Sequence, residues 1–379
     1  MKKSIKNIYL IILAVVIMLP VLFFGIFGKY FNSDNNENRT LATMPEHSLS
    51  TIKDFPTAFE NYFDDNLPFK NQLVFINSLM NYKILHISSS DSVIAGKNGW
   101  LFYKGAQVND EDPISDYNGS NLFSDEELST IAANMVEAKA QLSSRNSDFI
   151  IMICPNKEGV YSEYMPSAYG KHTDWGRMRQ VVDYLRKNTD LTVVCPYDDI
   201  MAYKESNPDE QLYYKYDTHW NNLGSYIGAC DLNDALGYSS PDLSTLNKSE
   251  GHVPVYDLAN LLNLGSYLED DPALLVENFS SHEAQIETND TGTEFRGTLA
   301  SKDGDERKLF VIGDSFSTSM FKYLACNFND SYLNFYYNYN LSMLENEQPD
   351  VVVYETVERY LNNMLHFSIT DGIDAEAEN

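Results

Sequence analysis

A chain of 379 residues is too long for one average domain and short for three. Its formal net charge of −28 repels phosphate backbones, so no nucleic-acid partner is expected. With 43% hydrophobic and 13% aromatic residues it holds enough apolar material for a packed core.

The N-terminus carries Lys2, Lys3 and Lys6 on a short tip, residues 1–7, followed by an uncharged stretch from Ile8 to Gly28. As a helix, residues 8–28 span roughly 30 Å, the thickness of a bilayer core. Flanking lysines stay on the cytoplasmic side, so a single-pass anchor with a cytoplasmic N-terminus and an extracytoplasmic domain is expected, placed at the cell membrane. A cleaved signal peptide is the rival. Its apolar region is normally shorter and ends in small residues, whereas this stretch exits through Phe23, Phe24, Gly25, Ile26 and Phe27. Residues 29–54 are polar and poor in aliphatics, as in a tether.

The main domain is expected over 55–368. Phe59, Tyr62 and Phe63, then Leu73, Phe75, Ile76, Leu79 and Met80, recur at helical spacing, with Pro68 marking a break between two helices. Val93 to Tyr103 reads strand, Lys-Asn-Gly turn, strand. Ser124 caps a helix reaching about Ser143, with Asp125, Glu126 and Glu127 in its first turn. Strands are expected at Phe149–Cys154, Leu191–Cys195, Lys308–Ile312 and Asp350–Tyr354. Helices are expected at Gly176–Asn188, Asn221–Leu236, Ser317–Asn327 and Thr356–Met364. Short apolar strands alternating with helices predict an α/β fold with a parallel sheet covered on both faces. Residues 240–305 are polar and break this rhythm, as an insertion or lid would. The tail at 369–379 is acidic and is expected to be disordered.

Two short motifs carry the chemistry. Gly313-Asp314-Ser315-Phe316 follows an apolar strand, which sets a serine hydroxyl at a helix start where free N–H groups stabilise an oxyanion. Asp217-Thr218-His219-Trp220 sets a carboxylate and an imidazole at i and i+2, on one side of an extended segment. Together they supply nucleophile, base and orienting acid: Ser315, His219 and Asp217. Either motif alone is an ordinary turn. Asn156 and Lys157 follow a strand and are candidates for an oxyanion donor or a sugar contact, though a polar loop uses the same residues. Trp220 is a candidate support for His219, with plain core the favoured role. Arg359 is a candidate anion contact, or a partner of Glu355 one helical turn earlier. Cys154, Cys195, Cys230 and Cys326 form no C-x-x-C pair and no Cys/His cluster at zinc spacing, and no phosphate-binding loop is present. No metal and no cofactor are expected, and buried free thiols are the expected state of the cysteines.

In order along the chain, Glu37-Asn38-Arg39-Thr40-Leu41-Ala42, the Asn-Leu-Pro-Phe-Lys around Phe69, Gly96 to Phe102, Pro155-Asn156-Lys157 through Tyr161, Asp217 to Asn221, Ile312 to Phe316, and Glu355 through Tyr360 form a series. It resembles the SGNH hydrolase-like proteins of DHHW type, related to the alginate O-acetyltransferases AlgX and AlgJ. The resemblance implies a flavodoxin-like SGNH core in permuted order, with the Asp-x-His element before the serine. It also implies an external enzyme that moves acetyl groups onto a polysaccharide acceptor beside a membrane-bound O-acyltransferase that delivers them. Here Thr218 stands where the family motif has its first histidine; the altered position is the spacer. Three functions stay open on these residues: an O-acetyltransferase, an acetylesterase using the same acyl-enzyme, and a non-catalytic polysaccharide-binding or assembly factor.

Overall fold

The computed structural model describes residues 12, 14, 15, 18, 19, 42–45, 53–66, 70–105, 112–251, 256–268 and 273–373. Most of the expected anchor at 8–28 and tether at 29–54, and residues 374–379 of the tail, lie outside them. Among the described residues no helix is long and apolar enough to cross a membrane. The chain divides into two compact units, Met1–Leu85 and His86–Asn379.

The first unit holds α1 (Phe55–Asn66) and α2 (Lys70–Met80), with a π-helical turn at Asn81–Leu85. Phe55, Phe59 and Phe63, spaced by four, stack along one face of α1, with ring centroids 5.8 and 6.5 Å apart.

The second unit opens with the expected hairpin, β1 (Val93–Ala95) against β2 (Leu101–Tyr103). Its turn puts Asn98 at φ 54° and Gly99 at φ 76°, the left-handed region these residues tolerate. Next come α3 (Pro113–Asn118) and α4 (Asp125–Ser143). Ser124 caps α4 and Glu127 returns the bond, a capping box. Then follow β3 (Asp148–Cys154), the single turn α5 (Lys157–Val160), α6 (Arg177–Asn188), β4 (Thr192–Val194), α7 (Tyr197–Ser206) and α8 (Asn222–Leu236). The polar region supplies β5 (Asn247–Gly251), α9 (Asp257–Leu261), β6 (Ala273–Glu277), β7 (Ala284–Thr288) and β8 (Glu294–Leu299). The chain continues through β9 (Asp305–Gly313), α10 (Ser315–Ala325), β10 (Phe328–Phe335), α11 (Leu341–Glu347) and β11 (Val351–Val357). A 3-10 helix (Glu358–Leu365) and the short pair β12 (Phe367–Ser368) and β13 (Gly372–Ile373) complete it.

Seven strands form one sheet in the order β4-β3-β11-β9-β10-β8-β7. The five from β4 to β10 are parallel; at the β10 edge β8 pairs antiparallel with β10, and β7 antiparallel with β8. Leu309–Ile312 and Val351–Tyr354 are almost wholly buried. Each such side chain stabilises by about 1.5–3 kcal/mol relative to exposure, so the loops leaving these strands start from a rigid edge. From β3 the sheet grows outward to β4, and from β9 to β10, with β11 between them. The loops after β3, β9 and β11 therefore open at mid-sheet on the carboxyl edge, where open α/β sheets place their ligands.

Four differences from the sequence reading have local causes. First, the sequence pattern does not mark β10, because Asn329, Asp330, Ser331 and Asn334 interrupt its apolar run; Ser331 and Asn334 are nonetheless buried between β9 and β8. Second, residues 284–299 of the expected insertion extend the central sheet. Third, the helix expected at 356–364 begins later. Thr356 and Val357 finish β11, and the turn that follows is 3-10 rather than α. Fourth, the tail stays ordered as far as Ile373, because β13 pairs with β12 and the Tyr339 hydroxyl donates to the Ile369 carbonyl, 2.6 Å. All four cysteines are free; Cys154 and Cys326 are buried as expected, whereas Cys195 and Cys230 are half-buried.

Candidate active site

Ser315 opens α10 directly after β9. Asp314 caps the helix: one carboxylate oxygen accepts the Phe316 amide at 2.8 Å, and the other accepts the Val357 amide at 2.8 Å, which ties the β9 loop to the end of β11. Below it, Glu355 on β11 accepts the Asp314 amide at 3.0 Å and the Ser317 hydroxyl at 2.6 Å. Gly313 is required by this closeness, since a Cβ there would lie 2.3 Å from Ser317 Oγ and 2.9 Å from Glu355 Oε2. Burial, together with the Asp314 charge, pushes the Glu355 carboxyl up to about 8, so it holds a proton at neutral pH. The helix start is less open than its position suggests. The Phe316 amide goes to the Asp314 side chain and the Ser317 amide to the Asp314 carbonyl, leaving the Ser315 amide to face an incoming oxyanion.

Asp217 and His219 sit on a loop closed by a bridge between Tyr213 and Trp220 and by the Asn221 amide on the Leu212 carbonyl, 2.9 Å. The loop brings His219 Nε2 within 2.7 Å of Ser315 Oγ and His219 Nδ1 within 2.7 Å of Asp217 Oδ1. Asp217 Oδ1 also accepts the His219 amide, 2.9 Å. A hydroxyl, an imidazole and a carboxylate thus form one line, with the carboxylate fixing Nδ1–H and leaving Nε2 to accept the serine proton. Burial works to lower the His219 pKa, but the Asp217 hydrogen bond and charge, joined by the Asp257 charge, outweigh it and hold the imidazole above its usual value. Burial works to raise Asp217, and its bond and ion pair with His219 overcome that, so its carboxyl lies below the usual range.

The remaining candidates occupy other places. Trp220 is fully buried; its Nε1–H donates to the Phe316 carbonyl at 3.0 Å, so it links the histidine loop to the serine helix. A Cβ at Gly228 on α8 would come within 2.8 Å of the Trp220 ring, so only glycine seats it. Lys157 is also buried. Its Nζ donates to the carbonyls of Leu101, Lys215 and Asp217 at 2.7, 2.9 and 2.8 Å, and it lies 5.0 Å from the Trp100 ring centre. The cation therefore fastens the hairpin to the Asp217 loop and is turned away from any ligand. Asn156 is buried, its amide donating to Glu358 Oε2 at 3.1 Å and its Nδ2 to Asp116 Oδ2 at 3.3 Å, so both groups are turned to the Glu358 and Asp116 carboxylates. Arg359 lies 5.2 Å from the Phe316 ring centre. Burial works to lower its pKa, while Tyr360, Asp314 and Glu158 more than offset it and keep the guanidinium firmly charged. Glu355 lies on a strand, so the one-turn pairing with Arg359 does not form.

Asp257, on α9, completes the group. Its amide donates to Asp217 Oδ2 at 2.9 Å and its carboxylate lies 3.8 Å from His219 Nδ1. No motif marks it, because it lies in a polar stretch far along the chain. Asp217, His219 and Asp257 offer ligand atoms within 4.8 Å of one another, close enough for a metal ion. Every oxygen of both carboxylates already accepts an N–H or O–H, so the arrangement fits a hydrogen-bonded acid loop.

Residues 93–336, more than half of the chain, match the family model described as the SGNH hydrolase-like domain of the acetyltransferase AlgX. The probable alginate O-acetylase AlgJ of Pseudomonas putida is 23% identical over 212 residues, covering 55% of this chain and 51% of its own. The chain thus spans about half the length of that relative. Bacillus cereus PatB1, solved with a sulfonyl adduct, superposes with a TM-score of 0.50 at 14% identity, covering 71% of this chain and 97% of its own. A DHHW family protein of Eubacterium siraeum gives a TM-score of 0.48 at 16% identity, covering 70% and 93%. The PatB1 likeness is one of fold.

Proposed function

The chain belongs to the family of AlgX-type SGNH hydrolase-like domains, and from that premise we propose that it is an O-acetyltransferase acting on a cell-surface or exported polysaccharide through an acyl-enzyme at Ser315. The observation that carries the reading is the unbroken line from Ser315 Oγ to His219 Nε2 to Asp217 Oδ1, with both gaps at 2.7 Å. His219 takes the serine proton as Oγ attacks the acyl carbonyl. The tetrahedral oxyanion faces the Ser315 amide at the start of α10, and its collapse gives acyl-Ser315 while His219 returns the proton to the departing oxygen. A sugar hydroxyl then attacks the ester, gives its proton to His219, and leaves as the acetylated sugar while His219 passes that proton to the departing Ser315 Oγ.

Residues 8–28 support an anchor that holds this domain outside the cell membrane, with the lysine-bearing tip in the cytoplasm. Acetyl-coenzyme A is not expected there, so a membrane-bound O-acyltransferase is the proposed source of acyl groups. One observation favours hydrolysis as a second activity: the His219 side chain keeps 27% of its surface exposed, so water can reach the base.

The test uses the full chain in detergent with a chromogenic acetyl ester. Wild type should release acetate and Ser315→Ala should lose at least about a thousandfold in kcat. Equal rates for the two would sink the serine mechanism. Adding an oligosaccharide acceptor and weighing the products separates transfer from hydrolysis.

A further inference from the structure

Asp217 and Asp257 are joined by a reciprocal bridge. The Asp257 amide donates to Asp217 Oδ2 at 2.9 Å, while Asp257 Oδ1 accepts the Thr218 amide at 2.8 Å and Oδ2 accepts the Thr218 hydroxyl. Beside it the Ala259 amide donates to the Tyr216 carbonyl, 3.1 Å, and Leu258 and Ala259 are fully buried. Residues 256–259 therefore close over residues 216–218 from a segment nearly forty residues later in sequence. Thr218, the position where this chain departs from the motif it resembles, is the residue that the bridge grips.

We infer that Asp257 is a positioning residue for the acid–base pair, its main chain aiming Asp217 at His219 and its carboxylate holding the Thr218 spacer and placing a second negative charge beside the imidazole. The inference rests on the acyl-Ser315 reading and adds to it. A single carboxylate with one free oxygen can rotate away from its histidine. Here Asp217 Oδ2 is pinned by the Asp257 amide, so Oδ1 stays on His219 Nδ1. The Asp257 carboxylate, at 3.8 Å, favours the imidazolium that forms each time His219 holds a proton. The other charges facing His219 are Asp217 on its own loop, Asp314 at the start of α10, and Arg359, whose cation opposes the three carboxylates. Burial and the Asp217 charge raise the Asp257 pKa, and the nearness of His219 and the Thr218 bonds work against that.

Asp257→Asn separates charge from shape, since it keeps the backbone amide and an oxygen for the Thr218 amide while removing the charge. The acid limb of the kcat–pH profile should then move to lower pH by roughly 0.5–1 unit, because the imidazolium loses a neighbour that stabilised it. Thr218→Val should lower kcat and leave that limb where it was. A direct titration of the His219 ring by NMR, in a Ser315→Ala background, should show the same shift without turnover. A limb and a ring titration both at the wild-type position in Asp257→Asn would overturn the inference, whatever happens to kcat. Ester cleavage persisting in Ser315→Ala would instead remove the acyl-serine reading, and the ring titration would still decide the role of Asp257.

Discussion

The two arms of the site are built by opposite means. The serine arm stands on strands β9 and β11, its capping carboxylate and the glutamate beneath it buried and bonded to the sheet's own loops. The acid–base arm has no strand of its own. It is a loop held by Lys157 from α5, by Asp257 from α9 and by Trp220 through its bond to the Phe316 carbonyl. A rigid sheet edge places one reactive atom cheaply in entropy, while a loop must be fixed by bonds arriving from distant segments. Substitutions in the serine arm should therefore act on chemistry or on stability as a block, and substitutions around the loop should misplace His219 by degrees.

The largest effect expected on the loop arm is from Asp217→Asn, which offers His219 Nδ1 the wrong partner atom or tautomer. Loss of about ten-thousandfold in kcat is expected with the fold intact by circular dichroism. A loss below about tenfold would show that the loop tolerates a displaced acid.

Lys157→Met comes next. It leaves the carbonyls of Leu101, Lys215 and Asp217 without their donor, at a cost of about 3 kcal/mol in unfolding free energy, and should lower kcat roughly tenfold to a hundredfold as the loop relaxes. Unchanged kcat in a protein destabilised by that amount would mean the loop keeps its place without the lysine.

The smallest expected effect lies under the serine arm and sharpens the contrast. Burial and the nearby Asp314 charge push the Glu355 carboxyl up to about 8, well above the ordinary 4.5 of a glutamate. Its contribution to stability is therefore fully present below about 4.5 and declines as pH rises towards about 8, because the folded state binds the proton more tightly than the unfolded one. Glu355→Gln keeps an oxygen for the Asp314 amide and the Ser317 hydroxyl but cannot ionise. Its melting temperature should exceed that of wild type at pH 9 and match or fall below it at pH 5. Parallel melting curves across that range would show that Glu355 does not carry the proton.

Much of this was legible along the chain. Continuous apolar runs marked β3, β9 and β11, because a strand buried on both faces needs no polar alternation. Ser124 and the acids after it marked α4, since capping is a local bond. Gly-Asp-Ser and Asp-Thr-His were visible because nucleophile, base and acid are distinctive residue types at the ends of such elements. β10 was hidden by its polar residues, which are satisfied only by neighbouring strands. Lys157 reads in the sequence as a loop residue or a ligand contact, because a sequence does not show that a lysine has three carbonyls waiting for it.

Local periodicity and side-chain chemistry are enough to mark the apolar strands β3, β9 and β11, the capped helix α4, and the three residue types suited to acyl transfer. It takes the folded molecule to bring His219 and Ser315, 96 residues apart, to 2.7 Å, to give Glu355 to the serine loop rather than to Arg359, and to set Asp257 against the acid. Those outcomes depend on strand order and on hydrogen bonds between distant segments, and neither leaves a trace in local pattern.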